Sequence, residues 1–235
     1  MKKRFRKWFC KNNDLEEKVN IKENTEAFIQ SFEELVKNGD IGTIKCLVKF
    51  MANSIQGELL SKCLYNDRNY GDYITNIKHS LLLDLSLKEY QKCDLRVDIS
   101  LTPCISCVWN NKRLIKALID INDFVGNPFN GIANSNNICA CMIKPIGLVI
   151  VVNGNHSVSS AIVHGKGEII VSEKIDIKPL LEKYRFNGKE YVDINTDMKI
   201  DCLSLKNNSE PFVYTLGLMF EMSRILYKHD LILDT

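Results

Sequence analysis

The chain has 235 residues, a formal net charge of +2, and 45% hydrophobic and 26% charged residues. This balance is typical of a globular protein that buries a sizeable core in one large domain, or in one domain with a helical extension. The small net charge argues against a general polyanion-binding protein, although it leaves room for a local basic patch. No apolar run approaches the roughly 20 residues that a membrane-spanning helix needs, so we expect no transmembrane segment.

Nine cysteines are scattered along the chain. Their odd number and irregular spacing do not suit a disulfide framework, so we expect free thiols in a reducing, cytoplasmic location. Cys104-Ile105-Ser106-Cys107 and Cys139-Ala140-Cys141 together offer four thiols, a set that would also suit zinc. Because the second segment has the pattern of a buried strand, we favour buried free thiols and predict no metal site.

The basic start of the chain, residues 1–11, combines six Lys or Arg residues with Phe5, Trp8 and Phe9. A secretory signal would continue into an apolar stretch, whereas Asn12-Asn13-Asp14 follows here. The segment suits contact with nucleic acid or an anionic membrane surface, or a solvated arm whose aromatic residues cap neighbouring helices. We favour the solvated arm, because basic N-termini are common.

Residues 1–90 are predicted to form a helical N-terminal subdomain. Apolar residues recur at helical spacing over residues 28–36, and Gly39 is a natural helix stop. Asp40 is a suitable N-cap for a second, longer helix, and a third helix is expected over Tyr73–Leu85. No linker composition separates these helices from the rest of the chain.

Residues 91–235 are predicted to form a mixed α/β core. Alternating apolar and polar residues predict a strand over Leu95–Leu101, and an amphipathic helix is expected over Asn111–Ile121. Residues 124–137 are rich in Asn and Gly and are expected to form a loop. The fold class is therefore α+β, with the N-terminal helices packed on a small mixed sheet.

A strand–turn–helix arrangement is expected at the centre of this core. Two apolar runs, Ile138–Ile143 and Leu148–Val152, predict a hairpin or a tight strand-to-strand connection. A short helix is expected over His156–His164, and a further strand over Glu168–Val171.

The C-terminal part of the chain alternates short elements before a long helix. The expected features are a short helix capped by Asp176, a hairpin turning at residues 186–189, a strand over Met198–Leu205 and a deeply buried closing helix over Phe212–Lys228.

The strongest candidate site is Gly154-Asn155-His156-Ser157, where an apolar strand turns into a helix. The first N–H groups of a helix lack intrahelical partners and lie at the positive end of its dipole. A glycine lets the backbone approach a ligand closely, so this segment suits a phosphate or another anion. The alternative is an ordinary turn in which Asn155 or Ser157 caps the helix.

The stretch Pro145–Val171, together with the preceding strand Ile138–Ile143, resembles the central motif of the ParB/sulfiredoxin-like superfamily. The resemblance rests on the order strand, Pro145-Ile146-Gly147, apolar strand, Gly154-Asn155-His156-Ser157, helix, Gly165 and strand. It implies a ParB/sulfiredoxin-like core in which the glycine turn and helix start bind a nucleotide phosphate. The chain also resembles bacterial and phage-borne families with an Asn-His-Ser core, a resemblance that implies no particular activity.

The candidate motif departs from the superfamily pattern at Ser157, where that pattern has an arginine that clamps the phosphate. Lys112 and Arg113, which follow Trp109, are candidate anion partners, and Trp109 is a candidate for stacking on a base. The alternative is a buried Trp109 beside two solvated cations, which we slightly favour.

The leading functional prediction is nucleotide or phosphate-group binding at Gly154, Asn155 and Ser157, with His156 as hydrogen-bond donor or general acid/base. Phosphoryl transfer or nuclease chemistry is a further option, for which Asp120, Asp123 and Glu168 are candidate carboxylates. The alternative is a non-enzymatic protein–protein interaction protein, such as a phage or mobile-element inhibitor of a host system. An open polar pocket at the turn favours the first function, and a self-capped turn with an exposed apolar patch elsewhere favours the second.

Overall fold

The computed structural model describes residues 21–65, 89–200 and 211–233. The basic segment 1–11, the helix predicted over Tyr73–Leu85 and residues 201–205 of a predicted strand lie outside these ranges. In chain order the described helices and strands are α1 (Ile21–Lys37), α2 (Ile41–Tyr65), β1 (Glu89–Asp98), β2 (Cys104–Ser106), α3 (Asn111–Asp120), β3 (Cys139–Lys144), β4 (Leu148–Asn153), α4 (Asn155–His164), β5 (Glu168–Asp176), α5 (Lys178–Lys183), β6 (Tyr184–Phe186), β7 (Tyr191–Asp193) and α6 (Pro211–Lys228).

Five strands form a mixed sheet in the order β1-β5-β3-β4-β2, and β6 and β7 form a separate two-stranded hairpin. The β1/β5 and β3/β4 pairs are antiparallel, whereas the β3/β5 and β2/β4 pairs are parallel. Six α-helices among the described residues accompany the sheet, which confirms the predicted α+β class. Among the described residues, no helix is long and apolar enough to span a membrane.

The strands β3 and β4 are buried on both faces of the sheet, whereas the edge strand β1 is largely exposed. On one face, Ile143 and Ile150 join a large hydrophobic cluster with residues of α1, α2 and α6. On the other face, Met142 and Val149 pack with Val158 of α4. Adjacent residues of one strand thus contact opposite layers, as strand geometry requires. Continuous apolar runs such as residues 148–151 follow from this double burial.

The end of α1 and the start of α2 lie where the sequence indicates. Gly39 ends α1 with a positive φ of 69°, a conformation that costs glycine little. The carboxylate of Asp40 accepts a hydrogen bond from the Thr43 backbone N–H at 3.0 Å and so caps α2. Buried residues along α2, including Ile44 and Met51, belong to the same hydrophobic cluster as the sheet.

The predicted strand Leu95–Leu101 was wrong at both ends, because β1 spans Glu89–Asp98. Its first residues pair with the far end of β5, which continues beyond the predicted Val171. The strand stops at Asp98 because the Asp98 carboxylate and carbonyl accept hydrogen bonds from the Ser100 and Thr102 N–H groups in a turn. The strand β2 was not predicted, since three residues are too few to show alternation.

The predicted C-terminal elements are confirmed in their main features. The β6/β7 hairpin turns at residues 187–190, and the Asp176 carboxylate accepts from the Lys178 N–H at 2.8 Å at the start of α5. The closing helix α6 is deeply buried, with Leu216, Met219 and Phe220 all fully enclosed. Of the predicted strand at Met198–Leu205, the described part makes only an isolated bridge between Val192 and Lys199.

Candidate functional site

The turn between β4 and α4 depends on Gly154. Its φ of 81° and ψ of 16° lie in the left-handed region, and it is the N-cap residue of α4. A Cβ at this position would lie 2.9 Å from the Ile138 side chain and 3.1 Å from the Asn137 carbonyl oxygen. Both its backbone angle and its surroundings therefore favour glycine at position 154.

No side chain caps the first turn of α4. The first intrahelical bond runs from the Val158 N–H to the Gly154 carbonyl at 3.0 Å. The preceding N–H groups, of Asn155, His156 and Ser157, therefore have no intrahelical acceptor. They form the positive end of a ten-residue helix.

Asn155 is buried and bonded to strand β2 and the residue after it. Its side-chain oxygen accepts from the Cys107 N–H at 2.9 Å, and its backbone carbonyl accepts from the Ser106 hydroxyl at 2.7 Å. The Ser159 hydroxyl lies 3.1 Å from the Ser106 hydroxyl. On the other side, the Gln56 amide bonds both the N–H and the carbonyl of Ser106, at 2.6 and 3.0 Å. This polar network fixes α4 to the end of β2 and to α2.

His156 lies against Trp109 rather than in an open pocket. The two rings make an edge-to-face contact with centroids 5.3 Å apart. The Arg113 guanidinium lies over the Trp109 ring, 5.0 Å from the ring centroid. The imidazole is 8% exposed, and its Nε2 is buried with no hydrogen-bond partner among the described residues. Burial, followed by the charge of Arg113, lowers the pKa of His156, and a hydrogen bond with the Asn110 backbone opposes this shift.

A small cleft of about 290 Å³ opens at the start of α4. Gly154 and Ser157 line it on the helix side, and the loop of residues 121–138 lines it on the other. None of its described lining residues is charged, and the polar ones are mostly amides: Asn127, Asn130, Asn134 and Asn137. A site of this kind offers neutral hydrogen-bond donors beside a helix N-terminus.

Asparagines also hold this loop in shape. The Asn127 amide donates to the Asp120 carbonyl at 2.6 Å, and the Asn134 amide donates to the Asn130 carbonyl at 2.8 Å. The Asn130 side-chain oxygen accepts from the Ala133 N–H at 2.9 Å. Asn130 thereby keeps its side-chain amino group as a donor at the cleft.

A larger cleft of about 530 Å³ lies at the opposite end of α4. It is lined by His164, Lys166, Arg96, Asp123 and Glu168, among others. Two ion pairs lie along it, Arg96 with Glu168 and Lys166 with Asp123, so its opposite charges largely offset one another. Ile121, Pro128, Phe129 and Asn130 line both clefts, which are therefore neighbours along one groove.

Phe129 lines both clefts, and its ring packs against two glycines. A Cβ on Gly131 or Gly167 would lie 2.8 or 2.6 Å from its ring carbons. The ring also packs at the edge of the hydrophobic cluster beneath α4. Only residues without side chains leave room for this aromatic ring between the loop and the start of β5.

The structure brings together some of the residues predicted for the site and separates others. Gly154 and Ser157 line the small cleft, whereas Asn155 and His156 line neither cleft. Lys112 and Arg113 are exposed on α3 and also line neither of the two. Of the candidate carboxylates, Asp123 and Glu168 line the larger cleft, while Asp120 pairs with Lys116 at 2.5 Å.

The cysteines do not converge. Cys104 packs in the cluster beneath α4, whereas Cys107 and Cys141 pack in the cluster on the opposite face of the sheet. Burial raises the pKa of the Cys104 thiol to about 12. None of the seven cysteines in the described ranges forms a disulfide, and those ranges contain no group of three or more His, Cys, Asp or Glu side chains arranged to hold a metal ion.

Sequence reasoning did not select Gln56, Ser106, Ser159 or Phe129. The first three are buried polar residues, and a buried polar residue requires hydrogen-bond partners. That pattern is a usable signal for Gln56, which lies on the apolar face of α2. The two glycines that accommodate Phe129 gave no comparable signal, because their neighbour across the fold is distant in sequence.

The model of one protein family matches this chain over residues 10–233. That family is DUF6710, described as a family of unknown function. Neither the curated proteins nor the solved structures contain a match. Because the match covers nearly the whole sequence, the chain belongs to the DUF6710 family.

Proposed function

We propose that this DUF6710 protein binds the phosphate group of a nucleotide or a related small phosphoester at the start of α4. The observation that carries the proposal is the uncapped first turn of α4, which opens at Gly154 and Ser157 into a cleft lined by amide side chains. Helix N-termini of this kind bind anions through backbone N–H groups and the helix dipole. Because no described residue that lines this cleft is a cation, neutral hydrogen-bond donors would hold the bound oxyanion.

The groove gives the rest of such a ligand a place to lie. Ser157 and His164 are seven residues apart on α4, or roughly 10 Å along the helix axis. The two clefts, of about 290 and 530 Å³, are within the usual size range of small-molecule sites. We propose that the phosphate occupies the smaller cleft and that the remainder of the ligand extends past Phe129 into the larger one.

Residues outside the smaller cleft take indirect roles in this proposal. Asn155 positions the helix start through its bonds to Ser106 and Cys107. His156 supports the turn through its contact with Trp109. His164, Asp123 and Glu168 line the larger cleft, beside the part of the ligand that extends away from the phosphate.

We also propose that residues 138–171 are related to the ParB/sulfiredoxin-like core. It is supported by the order β3, turn, β4, Gly154 turn, α4, β5, and by the parallel pairing of β3 with β5. Ser157 lines the cleft at the position where that superfamily has its arginine, so the phosphate would be bound here without an arginine.

The variant Ser157→Asp separates binding from folding. An aspartate in the first turn of a helix stabilises it, while its charge repels a bound phosphate. We therefore expect isothermal titration calorimetry to detect binding of a nucleoside monophosphate or inorganic phosphate to the wild type and no binding to the variant. The melting temperature of the variant should be unchanged or higher.

The matched control is Ser54→Asp, an exposed position in the middle of α2. It adds the same charge away from the groove and should leave binding intact. Equal affinity of Ser157→Asp and wild type, or a wild type that binds neither ligand, would show that the helix start is not a phosphate site.

An interaction protein is the second candidate function, and one observation favours it. Four large apolar side chains on and after α3 are exposed, and Phe124 is 94% exposed. Surface patches of this kind often mark contact sites with other proteins.

A further inference from the structure

Exposed apolar residues cluster in sequence on α3 and in the turn after it, and we call this group the α3 patch: Ile115, Ile119, Phe124 and Val125. Helix α3 buries Leu114 and Ala117, and so presents Ile115 and Ile119 on another face. The two isoleucines are one turn apart and are 41% and 60% exposed. Phe124 and Val125 continue the surface in the 3-10 turn over Asp123–Val125, where they are 94% and 58% exposed.

Charged residues flank the patch in a fixed order. By their helical spacing, Lys112 and Lys116 share the helix face of the isoleucines. Lys112 precedes Ile115, and Lys116 lies between Ile115 and Ile119. Asp120 and Asp123 follow at the C-terminal end. The cations therefore lie towards the N-terminal end of the isoleucine pair, and the carboxylates lie towards its C-terminal end, before Phe124 and Val125.

A surface with this order is complementary to itself when two copies meet antiparallel. In a two-fold arrangement centred between Ile115 and Ile119, the isoleucines of both copies pack together. Lys112 of each copy then lies near Asp123 of the other. Closed homodimers use such isologous contacts, in which one patch meets its own copy.

The existing ion pairs of the patch do not compete strongly with such a contact. Lys116 pairs with Asp120 at 2.5 Å, and Asp123 pairs with Lys166 at 2.8 Å. Both pairs are exposed to solvent, where an ion pair contributes little free energy. Exchanging these partners for those of a second copy therefore costs little.

An anionic membrane is a poorer occupant of the patch. The basic residues and Phe124 would suit it. However, the carboxylates of Asp120 and Asp123 lie beside the apolar residues, and an anionic surface would repel them. A second copy satisfies both the cations and the carboxylates.

We propose that the α3 patch is a homodimer interface in which α3 packs antiparallel against α3 of a second copy of this chain. Phe124 and Val125 cover the two ends of the helix pair. A ten-residue helix is only about 15 Å long, so the contact is small and the dimer is expected to depend on protein concentration. This inference does not rest on the proposed phosphate site, although Asp123 also lines the larger cleft.

Sedimentation equilibrium of the full chain over a range of concentrations tests the interface. We expect a monomer–dimer equilibrium, with a dimer dissociation constant that Phe124→Ser raises about tenfold or more. Phe50→Ser is the matched control, because Phe50 is an exposed phenylalanine on α2, 69% exposed. It should leave the equilibrium unchanged, and the melting temperatures should show that both variants fold.

Charge reversal tests the antiparallel arrangement itself. Lys112→Glu and Asp123→Lys each place like charges opposite one another and should each weaken the dimer. The double variant restores opposite charges and should recover most of the wild-type affinity, an effect that salt reduces. Recovery supports the arrangement, and its absence overturns it.

Three further results would overturn the proposal. The wild type could sediment as a monomer at every concentration. The dimer could persist unchanged in Phe124→Ser, which would place its interface elsewhere. Finally, a monomeric wild type could bind phosphatidylserine vesicles and lose that binding in Phe124→Ser, which would assign the patch to a membrane surface.

Discussion

The side-chain amide of Gln56 pairs with the backbone of Ser106 as a neighbouring strand would. Its oxygen accepts from the Ser106 N–H at 2.6 Å, and its nitrogen donates to the Ser106 carbonyl at 3.0 Å. Ser106 ends β2, which pairs with β4 and lies at the edge of the five-stranded sheet. The amide therefore satisfies backbone groups on the open side of the edge strand, where α2 excludes water.

Substituting Gln56 by leucine should destabilise the protein. The variant leaves the buried N–H and carbonyl of Ser106 without partners, at a cost of about 1–3 kcal/mol. Urea unfolding measures the loss. Gln30→Leu, at an exposed position on α1, is the control and should change the free energy of unfolding by less than about 0.5 kcal/mol. Equal stability of the two variants would contradict the role assigned to Gln56.

Gly154→Ala should destabilise the chain more than Gly165→Ala. Both glycines have a positive φ, of 81° and 63°, which costs an L-residue about 1–2 kcal/mol. Only at Gly154 would the added Cβ also meet Ile138 and the Asn137 carbonyl, because nothing lies within 4 Å at Gly165. Thermal unfolding of both variants gives the comparison. A Gly154→Ala variant no less stable than Gly165→Ala would show that the turn yields easily.

Two helical glycines should respond to alanine in opposite ways. Gly57 has nothing within 4 Å of an added Cβ, so Gly57→Ala should stabilise α2 by about 0.5–1 kcal/mol. At Gly217 the Cβ would lie 2.5 Å from the Phe186 ring, so Gly217→Ala should destabilise the protein by about 1–3 kcal/mol.

A double-mutant cycle identifies the cause at Gly217. In a Phe186→Leu background, Gly217→Ala should cost less, since the ring that the methyl group meets is gone. An unchanged cost there, or a stabilising Gly217→Ala, would rule out the ring as the obstacle.

Protonation of His156 should destabilise the folded protein. Its pKa in the folded state lies below the ordinary value of 6.5, so the unfolded state holds more protons between these two values. The free energy of unfolding should therefore fall as the pH is lowered through and below 6.5. Urea unfolding over roughly pH 5 to 7 gives the slope, since histidine titrates in this range.

Two variants assign that slope to His156. His156→Gln should reduce it, because the titrating group is removed. Arg113→Met should also reduce it, because the Arg113 charge is the second cause of the lowered pKa. A slope that both variants leave intact would belong to other groups.

The sequence predicted the elements whose determinants are local. Gly39, Asp40 and Gly154 end or begin helices through their own backbone conformations and nearest neighbours, so their roles followed from residue type and position. The position of His156 at the start of a helix predicts a neutral imidazole, because the helix dipole disfavours a positive charge there. The pKa of His156 is lowered as this predicts, but the causes are burial first and the charge of Arg113 second.

The features that sequence reasoning could not predict are contacts between distant segments. The groove forms because the loop of residues 121–138 folds over α4, and nothing in the local pattern of either segment indicates the other. His156 and Ser157 are adjacent in sequence, yet only Ser157 lines the cleft, because α4 turns the imidazole towards Trp109. Packing therefore decides which residues of a polar motif line a pocket and which are buried in the core.

The central position of β3 has a consequence for how the groove opens. The strand has neighbours on both sides, and both of its faces are covered, by Met142 on one and Ile143 on the other. Its amide protons should exchange with solvent only when the whole protein unfolds. The loop of residues 121–138 contributes few buried side chains, so its amides should exchange through local fluctuations while β3 stays protected. A small ligand can therefore enter and leave the groove at no cost to the integrity of the sheet beneath it.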